Sequence, residues 1–511
     1  MNSAQVVDRA AAFGAAILVV IAVPLSANLN VWLDEAFTLH TTGAGPLTAW
    51  AQSIAFEGQP PLYFVLESIW RMINETSIAF ARFPSVLFAA AAVAVVVAAA
   101  SRIAPRVPSH VVALVTALNP IFIWAAVEMR VYALVLLVGA ILTWTFYEGF
   151  IFALPSRRAQ ICYAFFAIVG LYVQYYIGFV LAAHFFTLLF VRRRELRAFS
   201  IAMTAVALAF APFLGVALMH VRTSSDFVSR ETLFHAVHDM ANAVFVFVLP
   251  HDMAWTGTPK IAGFAFAAGL LIELWILGRP SISRSPARAL VTGWLTCLAI
   301  FSLVFAAMGA PADLIRHLVV LAPPTLLTAF LLISSFTQRR MLAGGLAIGA
   351  FAVFSVSQLW SQYHAPLAKP GDWQSVAATL STGDPSVPIA VFPAELAFPL
   401  GVYLRGATIP IPHPMPFTVG YVRATTLDSQ SDVARVLDPV GARSDRLWVV
   451  TDGVCREGQL LNYNYHCHYM EDYLRRRYRL TLSFPFRGAL ARLYTRVPDG
   501  SSIATIAPDG Q

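Results

Sequence analysis

The hydrophobic positions gather into continuous stretches of roughly 17 to 25 residues, the length needed to cross about 30 Å of hydrocarbon. They recur throughout the first 360 residues. About eleven such stretches can be counted, centred near residues 19, 90, 116, 142, 170, 184, 208, 269, 298, 326 and 350, with the pairs 116/142 and 170/184 closely joined. The first, about 10–27, follows Asp8 and Arg9 and is long for the core of a secretory signal peptide, so it reads as a retained span. Cleavage near Ser26 and Ala27 is the alternative, and it would change the span count alone.

Arginine sets the orientation. Arg9; Arg102 and Arg106; Arg157 and Arg158; Arg192, Arg193, Arg194 and Arg197; Arg279, Arg284 and Arg288; and Arg339 and Arg340 occupy alternate loops. Short cytoplasmic loops accumulate Lys and Arg, so this side is the cytoplasm. The N-terminus is then inside, and everything after the eleventh span is outside. The outer side holds the larger loops, about 30–77 and 221–259, and the tail from about 361.

In that tail the pattern changes. It becomes polar and turn-rich after Lys369-Pro370-Gly371-Asp372-Trp373, with a helical stretch at Val376 to Leu380. Pro388 to Phe392, Leu447 to Thr451, Tyr478 to Phe484 and Ala489 to Arg496 are short β-branched or aromatic runs bounded by Pro, Gly and Asp. They read as strands. The expected architecture is a polytopic α-helical membrane domain over residues 1–360 and a soluble extracytoplasmic α/β domain over 361–511, long enough to bury its own core.

Composition agrees: 58% of the 511 residues are hydrophobic and only 12% are charged, against about 25% in an ordinary soluble protein. The formal net charge of +7 comes from arginines sorted by membrane side, and they form no nucleic-acid patch. Cys162 and Cys297 sit alone in apolar runs, whereas Cys455 and Cys467 lie close together in the polar tail, where an extracytoplasmic setting makes a disulfide plausible. The sequence contains no internal repeat, Walker loop or zinc-type cysteine cluster.

Charges placed against lipid are costly unless used or paired, and the outer surface concentrates them. Val31-Trp32-Leu33-Asp34-Glu35 puts two carboxylates immediately after the first span; Asp34 could equally cap a short helix from Glu35 to Thr41. Phe56-Glu57-Gly58-Gln59-Pro60-Pro61-Leu62-Tyr63 follows, its prolines starting a second interfacial helix and holding Glu57 and Tyr63 in fixed relation. Glu128 and Arg130, in Glu128-Met129-Arg130-Val131-Tyr132, stand in an otherwise uncharged stretch, where a salt bridge tying two helices competes with a functional role. Arg316 and His317 follow Asp313 in a third charged outer turn. Outer-face arginines suit a lipid phosphate, since the guanidinium offers several N–H donors. Tyr175 and Tyr176 read as interfacial belt residues, and Asp226, Arg230, His235 and Asp239 as weaker candidates for acceptor contacts.

These motifs, with Ala81-Arg82-Phe83-Pro84-Ser85, resemble the GT-C fold glycosyltransferases, most closely the bacterial relatives of protein O-mannosyltransferases and of the lipid A aminoarabinose transferase. The likeness covers the loop order of the whole membrane part, its specific motifs lying in the first 135 residues. It implies an inverting transfer from a polyprenyl-phosphate sugar to an envelope glycolipid or protein hydroxyl, with Asp34 as catalytic base and Glu35 beside it. Arg130, Arg316 and Tyr63 are assigned to the donor phosphate, with ordinary anionic phospholipids as the alternative ligand of the arginines, and Glu57, Gln59, Glu128, Tyr132 and His317 to the substrates. A divalent metal occurs in part of that group, where Glu57 and a histidine would serve as ligands; no metal ligand is assigned here. The aminoarabinose transferases carry a lysine beside the glutamate matching Glu57. Here that neighbourhood reads Gly58-Gln59, which sets aminoarabinose itself in question. The competing reading is a flippase for a lipid-linked sugar, which would favour midplane charges and internal repeats rather than charges at the outer surface.

Overall fold

The long apolar runs form helices, because no water in the hydrocarbon can satisfy a free backbone N–H or C=O. The computed structural model describes residues 3–223, 228–229, 232–248, 286–311, 314–337, 369–452 and 465–497. Within these, five helices are long and apolar enough to cross a membrane: Ala4–Asn28, Ile78–Ile103, Tyr132–Ile151, Arg193–Arg222 and Pro286–Met308. A sixth candidate is the pair Ser109–Ala117 and Pro120–Ala126, bent by 57°. The bend falls at Asn119-Pro120, where the Asn119 side chain caps the second helix by accepting from the Ile121 N–H at 3.0 Å. The expected centres near 170, 184 and 326 fall on shorter helices, Arg157–Leu171, Ile177–Val191 and Ala322–Thr337. Those near 269 and 350 lie outside the described residues. The protein is a multi-pass membrane protein.

The chain divides into two compact units. The first comprises residues 1–28, 41–54 and 58–365. Its helices approach closely where side chains are small: a Cβ on Gly14 would stand 2.9 Å from Val93 and 3.0 Å from Ala113. Large apolar side chains such as Phe13, Val20, Ile161, Phe190 and Leu208 point outward. Polar groups point in, as with the Tyr163 hydroxyl 2.8 Å from His184 Nδ1.

The second unit comprises residues 29–40, 55–57 and 366–511. Its five strands are β1 Ile389–Val391, β2 Thr408–Pro410, β3 Arg446–Asp452, β4 Tyr478–Phe486 and β5 Ala489–Arg496, in spatial order β2-β1-β3-β5-β4. β2, β1 and β3 run parallel, while β5 and β4 are antiparallel. Both faces are covered, as parallel strands require. Leu447 and Val449 pack with Leu437 and Leu474 on one face, and Trp448 and Val450 with Val376 and Leu400 on the other. The expected strands coincide with β1, β3, β4 and β5. β2 went unread, since Pro410 and Pro412 disguise it. Cys467 is buried and disulfide-bonded, and Cys455 lies outside the described residues.

Beyond the carboxyl end of β1, Glu395 is 3% exposed and accepts a hydrogen bond from Tyr465. Burial raises its pKa to about 7, against the opposing pull of the tyrosine hydroxyl. A group raised in the folded state stabilises most below its unfolded value near 4.5, and that contribution is lost as pH rises to about 7. Opening of the soluble unit, followed by hydrogen exchange at Val449 and Val450 after correction for intrinsic rates, should become easier across this window. Glu395→Gln, which stays neutral, should flatten the slope.

Candidate active site

Each unit carries part of the expected constellation. In the second, Leu33–Thr42 forms a helix with Asp34 and Glu35 in its first turn, where the backbone N–H groups favour negative charge. Asp34 is therefore inside the helix start rather than before it. The two carboxylates face different surroundings. Glu35 is fully buried, its Oε1 2.7 Å from the Nζ of Lys369, itself 3% exposed. Asp34 is half-buried. The helix is held by Phe37, whose ring meets Phe56 at 5.0 Å, Tyr421 at 5.4 Å and Phe398 at 5.9 Å. His40 stacks on Phe417 with centroids 3.6 Å apart, and burial lowers its pKa.

Phe56 brings Glu57 into the same unit, and the Val419 N–H donates to the Ala55 carbonyl at 2.9 Å. Glu57 closes a π-helical turn, Ser53–Glu57. Gly58 ends that turn with φ 62°, a left-handed conformation natural to glycine. The local backbone thus accounts for the glycine that stands where the resembling transferases carry lysine.

In the first unit, Gln59 donates its N–H to the Ser53 carbonyl at 3.1 Å. Pro60-Pro61 then starts the expected helix, Leu62–Arg71. Its inner face is polar: Tyr63, Glu67, Ser68 and Arg71 are buried, while Leu66 and Ile69 are 41% and 51% exposed. This inversion fits a helix whose outer face meets lipid. Ser68 donates to the Thr42 carbonyl at 2.9 Å, and Arg71 donates to the Thr42 hydroxyl at 2.5 Å. Neither carboxylate oxygen of Glu67 has a hydrogen-bond partner among the described residues. Its burial raises the pKa to about 8, against the pull of Arg71.

The turn between Pro120–Ala126 and Tyr132–Phe146 holds Glu128 and Arg130, 2% and 5% exposed. The Arg130 guanidinium lies 5.8 Å from the centroid of Phe64, and Tyr132 packs against Trp124 at 4.7 Å. Arg316 and His317 share the four-residue helix Leu314–His317, with the His317 ring 5.8 Å from that of Tyr176. Burial and then the positive charges of Arg316 and Arg130 push the His317 pKa down to about 3, leaving a neutral imidazole. The structure thus groups Arg130, Arg316 and His317. Two guanidinium groups acting on one place suit a phosphate dianion. The Tyr175 hydroxyl lies 2.8 Å from His220 Nδ1.

Asp226, Arg230 and Asp313 lie outside the described residues. His235 is exposed, and Asp239 pairs with His238 at 3.1 Å. Sequence reasoning assigned no part to Lys369, Glu67 or Arg82. Arg82 is completely buried and donates to the Ser26 carbonyl at 2.8 Å. The spacing of Glu67 and Arg71, four residues apart after Pro61, could have revealed their shared inner face. Among the described residues no group of three or more His, Cys, Asp or Glu could hold a metal ion.

The Gly58 geometry is testable. Gly58→Lys should destabilise the protein by about 1 kcal/mol or slightly more, because a side chain disfavours this backbone conformation. Thermal unfolding in detergent would read the loss, with Gly58→Asn expected to lose less.

No family model matches the chain, and no curated protein does. Solved structures do. The crystal structure of ArnT from Cupriavidus metallidurans bound to undecaprenyl phosphate is similar over 96% of this chain and 99% of that one, with a TM-score of 0.54 and 12% identity. The same protein in the apo state matches over 94% and 97%, with the same TM-score and identity. From its first helix to its soluble domain, the chain has the GT-C fold in the form that ArnT displays.

Proposed function

We propose that this protein is an inverting glycosyltransferase that moves a sugar from a polyprenyl-phosphate donor to a hydroxyl of an envelope glycolipid or protein, on the periplasmic face of a bacterial inner membrane. The observation that carries the reading is the end-to-end likeness to a structure holding undecaprenyl phosphate. The arginine pattern supports an N-terminus in the cytoplasm and a soluble domain outside.

In this reading Asp34 accepts the acceptor's hydroxyl proton while that oxygen bonds to the anomeric carbon. The carbon–oxygen bond to the donor phosphate breaks, and its electron pair leaves with polyprenyl phosphate. Arg130 and Arg316 neutralise the growing charge. The burial of Glu35 against Lys369 supports Asp34, the more accessible neighbour, as the base. Glu57, Gln59, Glu128, Tyr132 and His317 are proposed to contact substrate, with Tyr63 beside the donor phosphate.

Purified protein, given a panel of undecaprenyl-phosphate sugars and a membrane glycolipid extract, should transfer one labelled sugar. Asp34→Asn should lower turnover by about 10²- to 10⁴-fold, the range of a general base, while remaining folded. Arg130→Gln should weaken undecaprenyl phosphate binding by about tenfold or more, as loss of a charge-assisted hydrogen bond predicts. Donor movement across liposomes without transfer would establish the flippase reading instead.

A further inference from the structure

The segment bearing Asp34 belongs to the soluble unit, and the contacts that place it there converge on one stretch of the tail. Lys369 pairs with Glu35 at 2.7 Å. Asp372 Oδ1 accepts from the Asn30 side chain at 3.4 Å, and the Asn30 carbonyl oxygen accepts from the Gln374 N–H at 3.2 Å. The Val31 N–H donates to the Tyr403 hydroxyl at 2.7 Å. Residues 30, 31 and 35 are thus tied by four contacts to residues more than 300 positions later.

The tail stretch is itself fixed. Asp372 caps the helix Trp373–Ser381 by accepting from the Ser375 N–H at 3.0 Å, and its own N–H donates to the Arg487 carbonyl at 2.9 Å. Gly371 has φ +83°, and a Cβ there would stand 2.2 Å from the Trp373 indole nitrogen. Gly488 has φ +66°, and a Cβ there would stand 2.8 Å from the Gly371 nitrogen. Two glycines therefore permit the close turn that presents Lys369.

We propose that Lys369 is a positioning residue for the transfer: by neutralising Glu35 inside the soluble unit, it fixes the first turn of Leu33–Thr42 and hence the Asp34 carboxylate. Removing one partner of a buried ion pair is strongly unfavourable, so the first turn should loosen once Lys369 is removed. The inference rests on the reading of Asp34 as base.

The test uses the full chain in detergent, with wild type, Lys369→Met, Lys369→Arg, the pair Lys369→Met/Glu35→Gln, and Asp34→Asn. Hydrogen exchange is measured over residues 29–40, and kcat and KM are measured with the undecaprenyl-phosphate sugar that wild type turns over. Lys369→Met should speed exchange in 29–40 by at least about tenfold and lower kcat by roughly a hundredfold, the scale of a 1 Å misplacement, with donor KM within about threefold. Lys369→Arg should recover most of both. The double variant buries no lone charge and so should fold, with a loss no larger than that of Lys369→Met, because the two residues act as one unit.

Unchanged exchange in 29–40, or unchanged kcat, in Lys369→Met and the double variant would overturn the proposal. So would a raised donor KM at constant kcat, which would make Lys369 a donor ligand. Full turnover by Asp34→Asn would instead refute the base assignment, and the exchange data would still decide whether Lys369 anchors the segment.

Discussion

The structure follows from the cost of removing a charge or a backbone dipole from water where nothing replaces it. In the hydrocarbon this cost confines the chain to helices and sends large apolar side chains such as Phe13 and Phe190 outward. In the polar loops it acts with equal force on side chains that the fold encloses. Glu35 finds Lys369, Arg82 finds the Ser26 carbonyl, and Arg71 finds Thr42. Glu67 finds no hydrogen bond among the described residues, and its pKa rises instead.

That cost also explains how the two halves of the constellation differ. Burial and then the permanent charges of Arg316 and Arg130 keep His317 neutral. The result is a fixed positive region suited to an anion that arrives with its own charge. The carboxylates are arranged oppositely, one neutralised by a lysine and its neighbour left half-buried. Two acids adjacent in sequence thereby stand in different surroundings.

What was legible in the sequence was local. The long apolar helices, the proline start of Leu62–Arg71 and four of the five strands of the second unit are written in runs of neighbouring residues and lie where those runs lie, whereas the centres near 170, 184 and 326 fall on shorter helices. Strand Thr408–Pro410 was hidden because its end carries a proline, which disguises a strand at the sheet's edge. The membership of residues 29–40 in the soluble unit was hidden for a different reason. It depends on Lys369, Asp372 and Tyr403, and no periodicity or spacing connects residues so far apart. Gly58 was visible as a departure from the transferase pattern, but only its left-handed backbone supplies a cause.

The separation between Asn30 and Asp372, 342 residues, has a consequence for biosynthesis. At about 5 to 20 residues per second, a ribosome needs roughly 20 to 70 s to reach Asp372 after making Asn30. Throughout that interval Glu35 has been synthesised but its lysine has not. The contacts that Asn30, Val31 and Glu35 make with the tail can form only after the residues between them have been made. Ordering of residues 29–40 is therefore among the final events in the life of the nascent chain.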